Sequence, residues 1–213
     1  MTTTNGWYCK MKTPKDEPQI RWITTENYHL LFFENKADKD PVNVFHIDGL
    51  NLSDALGEIE QYHSVKVKVS HSCEIPFFYI ITPNQFDIQA IIKMITDTQK
   101  SWKESLNSNS AEKGNNTFVI DELGKFIFRA ADRMNLTVLP DKITVAYKDG
   151  KINTININTQ FDCYQLNGSG KDHKWVIFKY IEQVEKEYRA HCESTEKMMS
   201  MVNLILRYRS LKR

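Results

Sequence analysis

The stretch that decides the fold runs from Gly6 to Leu52 and reads GWYCKMKTPKDEPQIRWITTENYHLLFFENKADKDPVNVFHIDGLNL. Aromatic and β-branched residues dominate it and are interrupted by short polar segments, a pattern typical of strands joined by turns. The interruptions are a proline-containing turn at 13–18, a tight turn at Glu26 and Asn27, and a charged loop at 36–41. We therefore predict successive antiparallel strands at residues 6–12, 21–25, 28–35 and 42–47.

Two further strands and a helix complete the first half of the chain. Residues 65–69 read VKVKV, which places three valines on one face of a strand and two lysines on the other. The continuous apolar run at 77–81 predicts a deeply buried strand. A helix is predicted from Gln85 to Trp102, because apolar residues recur along it at helical spacing. The order is strands first and one amphipathic helix last.

The second half repeats this order after a linker. Residues 105–117 are small, polar and unpatterned, so we place a boundary there between a domain at 1–104 and a domain at 118–213. The segment Phe118–Met134 fits one helical face but leaves a strand possible. Asp149-Gly150 between two β-branched runs predicts a hairpin. The remaining predicted elements are strands at 161–166, 175–181 and 186–192, and a helix from its N-cap Ser194 to Tyr208.

Composition narrows the function. The net charge is +1, which disfavours a nucleic-acid binder that relies on bulk positive charge. The charge is unevenly spread, with 12 basic and 15 acidic residues up to Lys113 and 16 and 12 beyond it. No apolar run approaches the about 20 residues that span a bilayer, and residues 1–5 lack signal-peptide features. We expect a cytoplasmic protein that binds no nucleic acid.

Motifs for catalysis and metal binding are not found in the sequence. It contains no Gly-x-Ser-x-Gly, glycine-rich phosphate loop or His-Glu-x-x-His motif. The four cysteines are far apart and form no Cys-x-x-Cys pair, which disfavours a zinc site or a disulfide framework. Cys9 and Cys192 lie in predicted strands and are interpreted as small buried hydrophobes. We expect no enzymatic activity, no metal and no cofactor.

Residues 6–102 resemble the pleckstrin homology family in their strand pattern, in their terminal helix and in the landmarks Gly6-Trp7 and Arg21-Trp22. The resemblance implies a bent antiparallel barrel with the helix over one open end. It also implies a site for inositol phosphates, formed by a lysine of the first strand and a basic residue of the second. An ammonium supplies a point charge and a guanidinium a planar donor fork for phosphate oxygens. In this sequence the implied lipid-headgroup site consists of Lys10, Lys12, Lys15 and Arg21.

Three departures from the family pattern predict weak binding. Gln19 stands where a basic residue is usual, Phe32 stands where a tyrosine is common, and the first loop carries Asp16 and Glu17. Attraction to an anionic leaflet is worth about 1 kcal/mol per basic residue, so a partly neutralised site binds weakly. The alternative is that the cations of the first two strands are solvated and have no lipid function.

The second half resembles, in layout alone, a phosphotyrosine-binding domain or a second pleckstrin homology domain. Such modules bind a peptide as an added strand, and phosphotyrosine recognition needs clustered arginines. Arg129, Arg133 and Arg189 are available, and Arg189, on the last strand before the helix, is the candidate partner-binding residue. The basic residues 207–213 either complete the dipole of the last helix or touch an anionic membrane.

The predicted fold class is therefore α+β, with two small bent antiparallel β-barrels, each closed by a C-terminal α-helix. The resemblances imply a non-catalytic signalling adaptor that a phosphoinositide or other anionic lipid recruits to membranes, with a protein partner for the second domain. A protein-binding scaffold without lipid binding is an alternative. A regulatory fragment of a larger GTPase exchange factor or GTPase-activating protein is another.

Overall fold

The structure is a computed structural model, in which the chain forms two compact units. It describes residues 6–11, 15–54, 59, 62–70, 75–108, 116–122, 132–158, 161–165 and 174–211. Among these residues the first unit ends at Asn107 and the second begins at Ser108. The division falls inside the segment 105–117 that the sequence predicts as a linker.

The first unit is an antiparallel sheet of seven strands followed by one helix. Hydrogen-bonded neighbours follow the order β4-β3-β2-β1-β7-β6-β5, so β4 and β5 are the two ends of the sheet. A 3₁₀ turn at Ile47–Gly49 connects these ends. The elements are β1 (Gly6–Met11), β2 (Gln19–Glu26), β3 (His29–Phe33), β4 (Asn43–His46), β5 (Leu50–Asp54), β6 (His63–Val69), β7 (Phe77–Thr82) and α1 (Gln85–Asn107).

The sheet of the first unit bends strongly. Phe45 on β4 stacks on Phe78 on β7 with ring centroids 4.9 Å apart, although these strands are four positions apart in the sheet. Neighbouring strands lie about 4.8 Å apart, so a flat sheet would separate the two by about 19 Å. Phe32 on β3 packs edge-on against both rings. The aromatic core is therefore enclosed between the two halves of one sheet.

The strands β6 and β7 follow their predicted patterns. Val65 and Val67 are buried and Lys68 is exposed, as the alternation of valine and lysine predicts. Residues 78–81 are all buried, because Ile59 packs over the face of β7 that carries Tyr79. The continuous apolar run therefore marks a strand covered on both faces.

The turn between β2 and β3 lies one residue later than predicted. Asn27 and Tyr28 have φ angles of 45° and 60°, and Glu26 pairs with His29 across the turn. Two central residues in the left-handed region make a type I′ hairpin turn. That conformation is unfavourable for a tyrosine. Tyr28 gains a compensating contact, with its ring centroid 5.1 Å from that of Trp102 on α1.

Helix α1 begins at Gln85 as predicted but ends at Asn107, beyond the predicted end at Trp102. Asn84 caps its start, since its side-chain oxygen accepts a hydrogen bond from the amide of Phe86 (3.0 Å). Trp102 is 1% exposed and anchors the helix to the sheet. The helix continues beyond this anchor for about one more turn, to Asn107. The Ser105 hydroxyl donates to the Trp102 carbonyl in that turn (2.7 Å).

The second unit repeats the strand order of the first, as β11-β10-β9-β8-β14-β13-β12 with a C-terminal helix. All of its pairs are antiparallel. The α+β class, with antiparallel strands and one terminal helix per unit, is thereby confirmed. The elements are β8 (Thr117–Glu122), β9 (Asp132–Val138), β10 (Lys142–Ala146), β11 (Ile152–Asn156), β12 (Asp162–Gln165), β13 (Trp175–Ile181), β14 (Glu185–Cys192) and α2 (Thr195–Ser210).

The helical interpretation of Phe118–Met134 is wrong at both ends of the segment. On β8, Phe118 and Ile120 are buried and Val119 is 38% exposed, an alternation of period two. Met134 is buried on a different strand, β9. The strand that the sequence left possible is present at residues 117–122, and Met134 lies directly opposite Ile120 on the neighbouring strand. Residues 123–131, which the helical face would have included, lie outside the described residues.

Local signals in the second unit are confirmed. Gly150 has a φ of 83°, and its amide donates to the Tyr147 carbonyl (3.0 Å) in the loop between β10 and β11. A left-handed glycine there is the signature of a bulged hairpin loop. Ser194 caps α2, since its hydroxyl oxygen accepts from the amide of Lys197 (3.2 Å). The methionines of α2 are core residues, as predicted, with Met198 and Met201 completely buried.

Candidate functional site

The predicted cationic site lies where β1 and β2 meet the loop between them. Lys10 pairs with Gln19 across the two strands, two residues before Arg21, so Lys10 and Arg21 are diagonal neighbours. Lys15 lies in the connecting loop and is exposed. The side chain of Lys10 and the whole of Lys12 lie outside the described residues. The backbone thus brings three of the four predicted positions together where the loop joins β1 and β2.

Arg21 is half-buried and is oriented by its own strand. Its Nη1 donates to the Ile20 carbonyl (2.8 Å) and its Nη2 donates to Oε1 of Gln19 (3.0 Å). These bonds use two of the five guanidinium hydrogens. No other acceptor for this guanidinium is found among the described side chains. Gln19 stands where the family usually has a basic residue. It adds no positive charge, but its side-chain oxygen orients the Arg21 guanidinium.

Ile20 is an exposed apolar residue that sequence reasoning missed. Its side chain is 62% exposed, and strand alternation places it on the opposite face from Arg21. Trp22 shares the face of Ile20, and the Lys36 ammonium lies 4.8 Å from a Trp22 ring centroid. The signal was present in the period-two pattern, which groups Ile20 with Trp22 and groups Arg21 with the buried Ile23.

Helix α1 packs at the other end of β2. The Gln99 side-chain amide donates to the Leu50 carbonyl (2.7 Å), and the neighbouring Thr98 lies 3.4 Å from the hydroxyl of Thr25. A strand rises about 3.3 Å per residue, so Thr25 is about 13 Å from Arg21 along β2. The helix and the predicted cationic site therefore occupy opposite ends of the same strand.

Phe32, where the family commonly has a tyrosine, belongs to the core. Its side chain is completely buried, and its ring packs against Phe45 and Phe78 at centroid distances of 5.9 and 5.3 Å. A hydroxyl at this position would need a hydrogen-bond partner among aromatic rings. Phe32 contributes packing and no donor to a ligand.

Two histidines and a tryptophan form a buried cluster between β3, β4 and α1. The rings of His29 and His46 meet edge to face at 4.8 Å, and the ring of His46 lies 4.8 Å from that of Trp102. Nδ1 of His29 donates to the Asn27 carbonyl (2.7 Å), whereas Nδ1 of His46 accepts from the Asp48 amide (3.2 Å). Burial lowers the pKa of His29 from 6.5 to about 4, and the bond to Asn27 opposes that shift. His29 is therefore neutral at pH 7.

The predicted arginines of the second unit are engaged by carboxylates. Nε of Arg189 donates to Oε1 of Glu187 (2.6 Å) on the same strand. Arg133 on β9 lies 3.9 Å from Asp121 on β8. The third candidate, Arg129, lies outside the described residues. The two described arginines are thus separated by β8 and do not converge on one anion site.

The basic end of α2 contributes to the fold of the second unit. Arg209 donates to Asp162 on β12 at 2.9 Å, and its side chain is only 16% exposed. Arg207 and Arg209 both lie in the last turn, where the helix dipole favours positive charge. This contact agrees with the helix-stabilising interpretation of residues 207–213, of which 212 and 213 lie outside the described residues.

The strand order, the bend of the sheet and the terminal helix are those that the sequence resemblance implies for residues 6–102. The first unit therefore has the arrangement of strands and helix that this resemblance implies. Two solved structures that are similar to this chain are human pleckstrin homology domains. That of pleckstrin homology domain-containing protein family A member 5 is 12% identical, with a TM-score of 0.39, and covers 46% of this chain and 78% of its own. That of the KIAA0053 protein is 12% identical, with a TM-score of 0.40, and covers 45% and 86%.

Sequence comparisons do not show a family for this chain. A family model described as viral alkaline exonuclease matches residues 52–116, less than half of the chain. No curated protein matches the sequence significantly. Within the described ranges, no three His, Cys, Asp or Glu side chains are grouped so as to hold a metal ion. No helix in the described part of the chain is long and apolar enough to cross a membrane.

Proposed function

We propose that this protein is a non-catalytic cytoplasmic signalling adaptor. Its pleckstrin homology-like unit is recruited to membranes by a phosphoinositide or another anionic lipid, and its second unit binds a protein. The observation that carries the proposal is the placement of Lys10, Lys15 and Arg21 at one end of β1 and β2, away from the end on which α1 packs. Lys12, which lies between these positions in the sequence, belongs to the proposed site.

The chemistry of a phosphorylated inositol suits this set of cations. Arg21 offers the donor hydrogens that its bonds to Ile20 and Gln19 leave over, and lysines add point charges. Asp16 and Glu17 are exposed in the same loop and reduce the positive potential. We therefore expect weak binding that falls as salt increases, since exposed charges are screened within about 10 Å at 0.1 M salt.

An exposed apolar residue on the other face of β2 adds to the case for a membrane surface as the ligand. Ile20 is 62% exposed on the face of β2 opposite Arg21, and it shares that face with Trp22, whose ring lies under the Lys36 ammonium. Segments that bind at the lipid interface combine buried apolar area with attraction to anionic headgroups. Ile20 would contribute the first term and the lysines the second.

The protein partner is assigned to the second unit, with Arg189 as the candidate contact. The Arg189 side chain is 54% exposed and is held by Glu187, so β14 presents a fixed pair of opposite charges.

The proposal for the fold is that each unit is a closed barrel with its helix over one end. In the first unit this is supported by the 3₁₀ turn that joins the two end strands.

A protein scaffold without lipid binding is the second candidate. It is favoured by the two hydrogen bonds that hold the Arg21 guanidinium against its own strand. In that case the cations at the end of β1 and β2 are solvated, and only protein surfaces act. Dependence on lipid separates the two functions.

The test is sedimentation of the full chain with vesicles that contain one phosphoinositide each, at two salt concentrations. We expect salt-sensitive binding by the wild type and a loss of about tenfold or more in Lys10→Ala/Arg21→Ala, because two cations contribute about 2 kcal/mol. Ile20→Ser is expected to weaken binding without changing its salt dependence.

The matched control is Lys93→Ala/Lys100→Ala, which removes the same charge from exposed positions on α1. Both lysines form only exposed i,i+4 pairs, with side chains 74% and 76% exposed, so this variant should bind as the wild type does. Absence of vesicle binding by the wild type, or equal binding by the two double variants, would favour the scaffold.

A further inference from the structure

Strand β11 forms one end of the second sheet, and its outer edge has no described neighbour. On either side of it, the Lys151 carbonyl accepts from the amide of Tyr147 and the Ile157 amide donates to the carbonyl of Asp141, both at 2.8 Å and both towards β10. Backbone direction alternates along a strand in an antiparallel pair. The groups that point away from the sheet therefore belong to Ile152, Thr154 and Asn156, and no described residue bonds to them.

This edge lacks the features that usually protect a strand from pairing. Residues 152–158 read INTININ, without charge or proline, and Ile152 is 64% exposed. Natural edge strands are protected by charged residues, proline or short length. The other described sheet ends differ: β4 and β12 have four residues each, and β5 ends on Asp54. Strand β11 has five residues and carries neither charge nor proline.

A row of threonines leads across the sheet to this edge. Successive strand partners in the row are Thr117, Thr137, Thr144 and Thr154, on β8, β9, β10 and β11. The hydroxyls of Thr117 and Thr137 lie 3.1 Å apart. Threonine pairs across strands are favourable, so a further threonine strand would extend the row without an unfavourable contact.

We propose that β11 pairs antiparallel with β11 of a second copy of this chain, about a two-fold axis at Thr154. In this register Thr154 lies opposite its own copy, and Ile152 lies opposite Asn156. All three are the residues whose backbone groups point outward, so each facing pair exchanges two hydrogen bonds. The threonine row then continues from one copy into the other.

The chemistry of the strand selects a second copy as the occupant. A two-fold axis brings the central residue next to itself, so a charge there would repel its copy. Residues 152–158 carry none, and the central pair is threonine with threonine. One strand pair without a large side-chain interface forms a weak dimer, in the range of transient contacts.

The test is sedimentation equilibrium of the full chain over a wide concentration range. We expect a monomer–dimer equilibrium in the wild type. Thr154→Lys should raise the dimer dissociation constant about tenfold or more, because it places like charges directly opposite. Thr144→Lys is the matched control: it adds the same charge to the same row one strand further in, and it should dimerise as the wild type does.

A charge-reversal mixture identifies the register. Thr154→Asp should also be monomeric alone, and mixing it with Thr154→Lys should restore a dimer of one copy each. Circular dichroism checks that both variants are folded, and either one alone suffices for the comparison with Thr144→Lys. A wild type that stays monomeric up to about 0.5 mM would overturn the proposal. So would a dimer that Thr154→Lys and Thr144→Lys weaken equally.

Discussion

At the scale of single residues, His29 links the stability of the first unit to pH. Its side chain is completely buried and its pKa is about 4, below the value of 6.5 in an unfolded chain. Between these two values the unfolded chain binds a proton at this position and the native state does not. Stability is therefore fully present above pH 6.5 and falls as the pH falls towards 4.

The prediction concerns the size of that loss in wild type and His29→Phe. The difference between the pKa of His29 in the native state and in the unfolded chain corresponds to on the order of 3 kcal/mol of unfolding free energy, lost between pH 7 and pH 4. His29→Phe keeps an aromatic ring against His46 and removes the titrating group, so its unfolding free energy should change less over the same interval. Urea unfolding at several pH values measures both. Parallel pH dependences in the two proteins would show that His29 does not carry the linkage.

Within the described part of the chain, few side chains lie next to the His29 ring. His46 presents its ring edge from β4, Trp102 comes from α1, and Glu26 is paired with His29 across the turn but is exposed. No described carboxylate forms an ion pair with His29. The low pKa of His29 therefore reflects the loss of hydration that burial causes.

At the scale of elements, the contact between Asp162 and Arg209 joins α2 to β12, the strand at one end of the second sheet. The two charged atoms are 2.9 Å apart, with side chains 36% and 16% exposed. We expect Arg209→Gln to destabilise the second unit, and Asp162→Asn to do the same. A double-mutant cycle by thermal or urea unfolding should give a coupling of about 1 kcal/mol, near the upper end for partly exposed pairs.

The matched pair for this cycle is Lys93 and Asp97 on α1, which are 2.7 Å apart but 74% and 60% exposed. Its coupling should be smaller, about 0.3 kcal/mol, because water screens an exposed i,i+4 pair. Equal couplings for the two pairs would mean that burial of Arg209 adds nothing.

Elements with a local signal were predictable from the sequence. The valine alternation at Val65 and Val67, the glycine turn at Gly150 and the cap at Ser194 each depend on neighbours within a few positions, and each is confirmed. The helical interpretation of Phe118–Met134 is wrong because Ile120 and Met134, which it placed on one helical face, lie opposite each other on two paired strands. The contact of Asp162 with Arg209 joins residues 47 positions apart, and no local pattern announces it.

The candidate site was predictable in position but not in detail. The resemblance to pleckstrin homology domains identified Lys10 and Arg21, and the ladder between β1 and β2 makes them diagonal neighbours. The period-two pattern groups Ile20 with Trp22 on the face opposite Arg21, but the 62% exposure of Ile20 depends on what covers that face, which the pattern does not specify. The bonds between Arg21 and Gln19 depend on a side-chain conformation that the sequence does not contain.

At the scale of the whole molecule, the lipid site and the edge of β11 act together if both proposals hold. A dimer carries two copies of the weak cationic site, and the second contact forms at high local concentration. Thr144→Lys, which dimerises, should therefore bind anionic vesicles about tenfold more tightly than Thr154→Lys at concentrations where the dimer forms. The two variants have the same charge, so electrostatics alone does not separate them.

Vesicle sedimentation at two protein concentrations checks this prediction. Below the dimer dissociation constant the two variants should bind equally, and above it their affinities should diverge. Equal affinities at both concentrations, with the dimer established independently, would mean that the two lipid sites of a dimer do not reach one membrane together.

The alternating backbone of β11 also has a kinetic consequence. The amide hydrogens of Asn153 and Ile155 bond towards β10 and exchange with solvent only when the sheet opens, whereas that of Thr154 points outward. Hydrogen exchange should therefore alternate between slow and fast at successive residues of a single strand. As the outer edge becomes occupied, the fast amides should slow to the rate of their neighbours. Hydrogen-exchange rates at successive residues of β11 therefore report whether its outer edge is paired, without a label or a substitution.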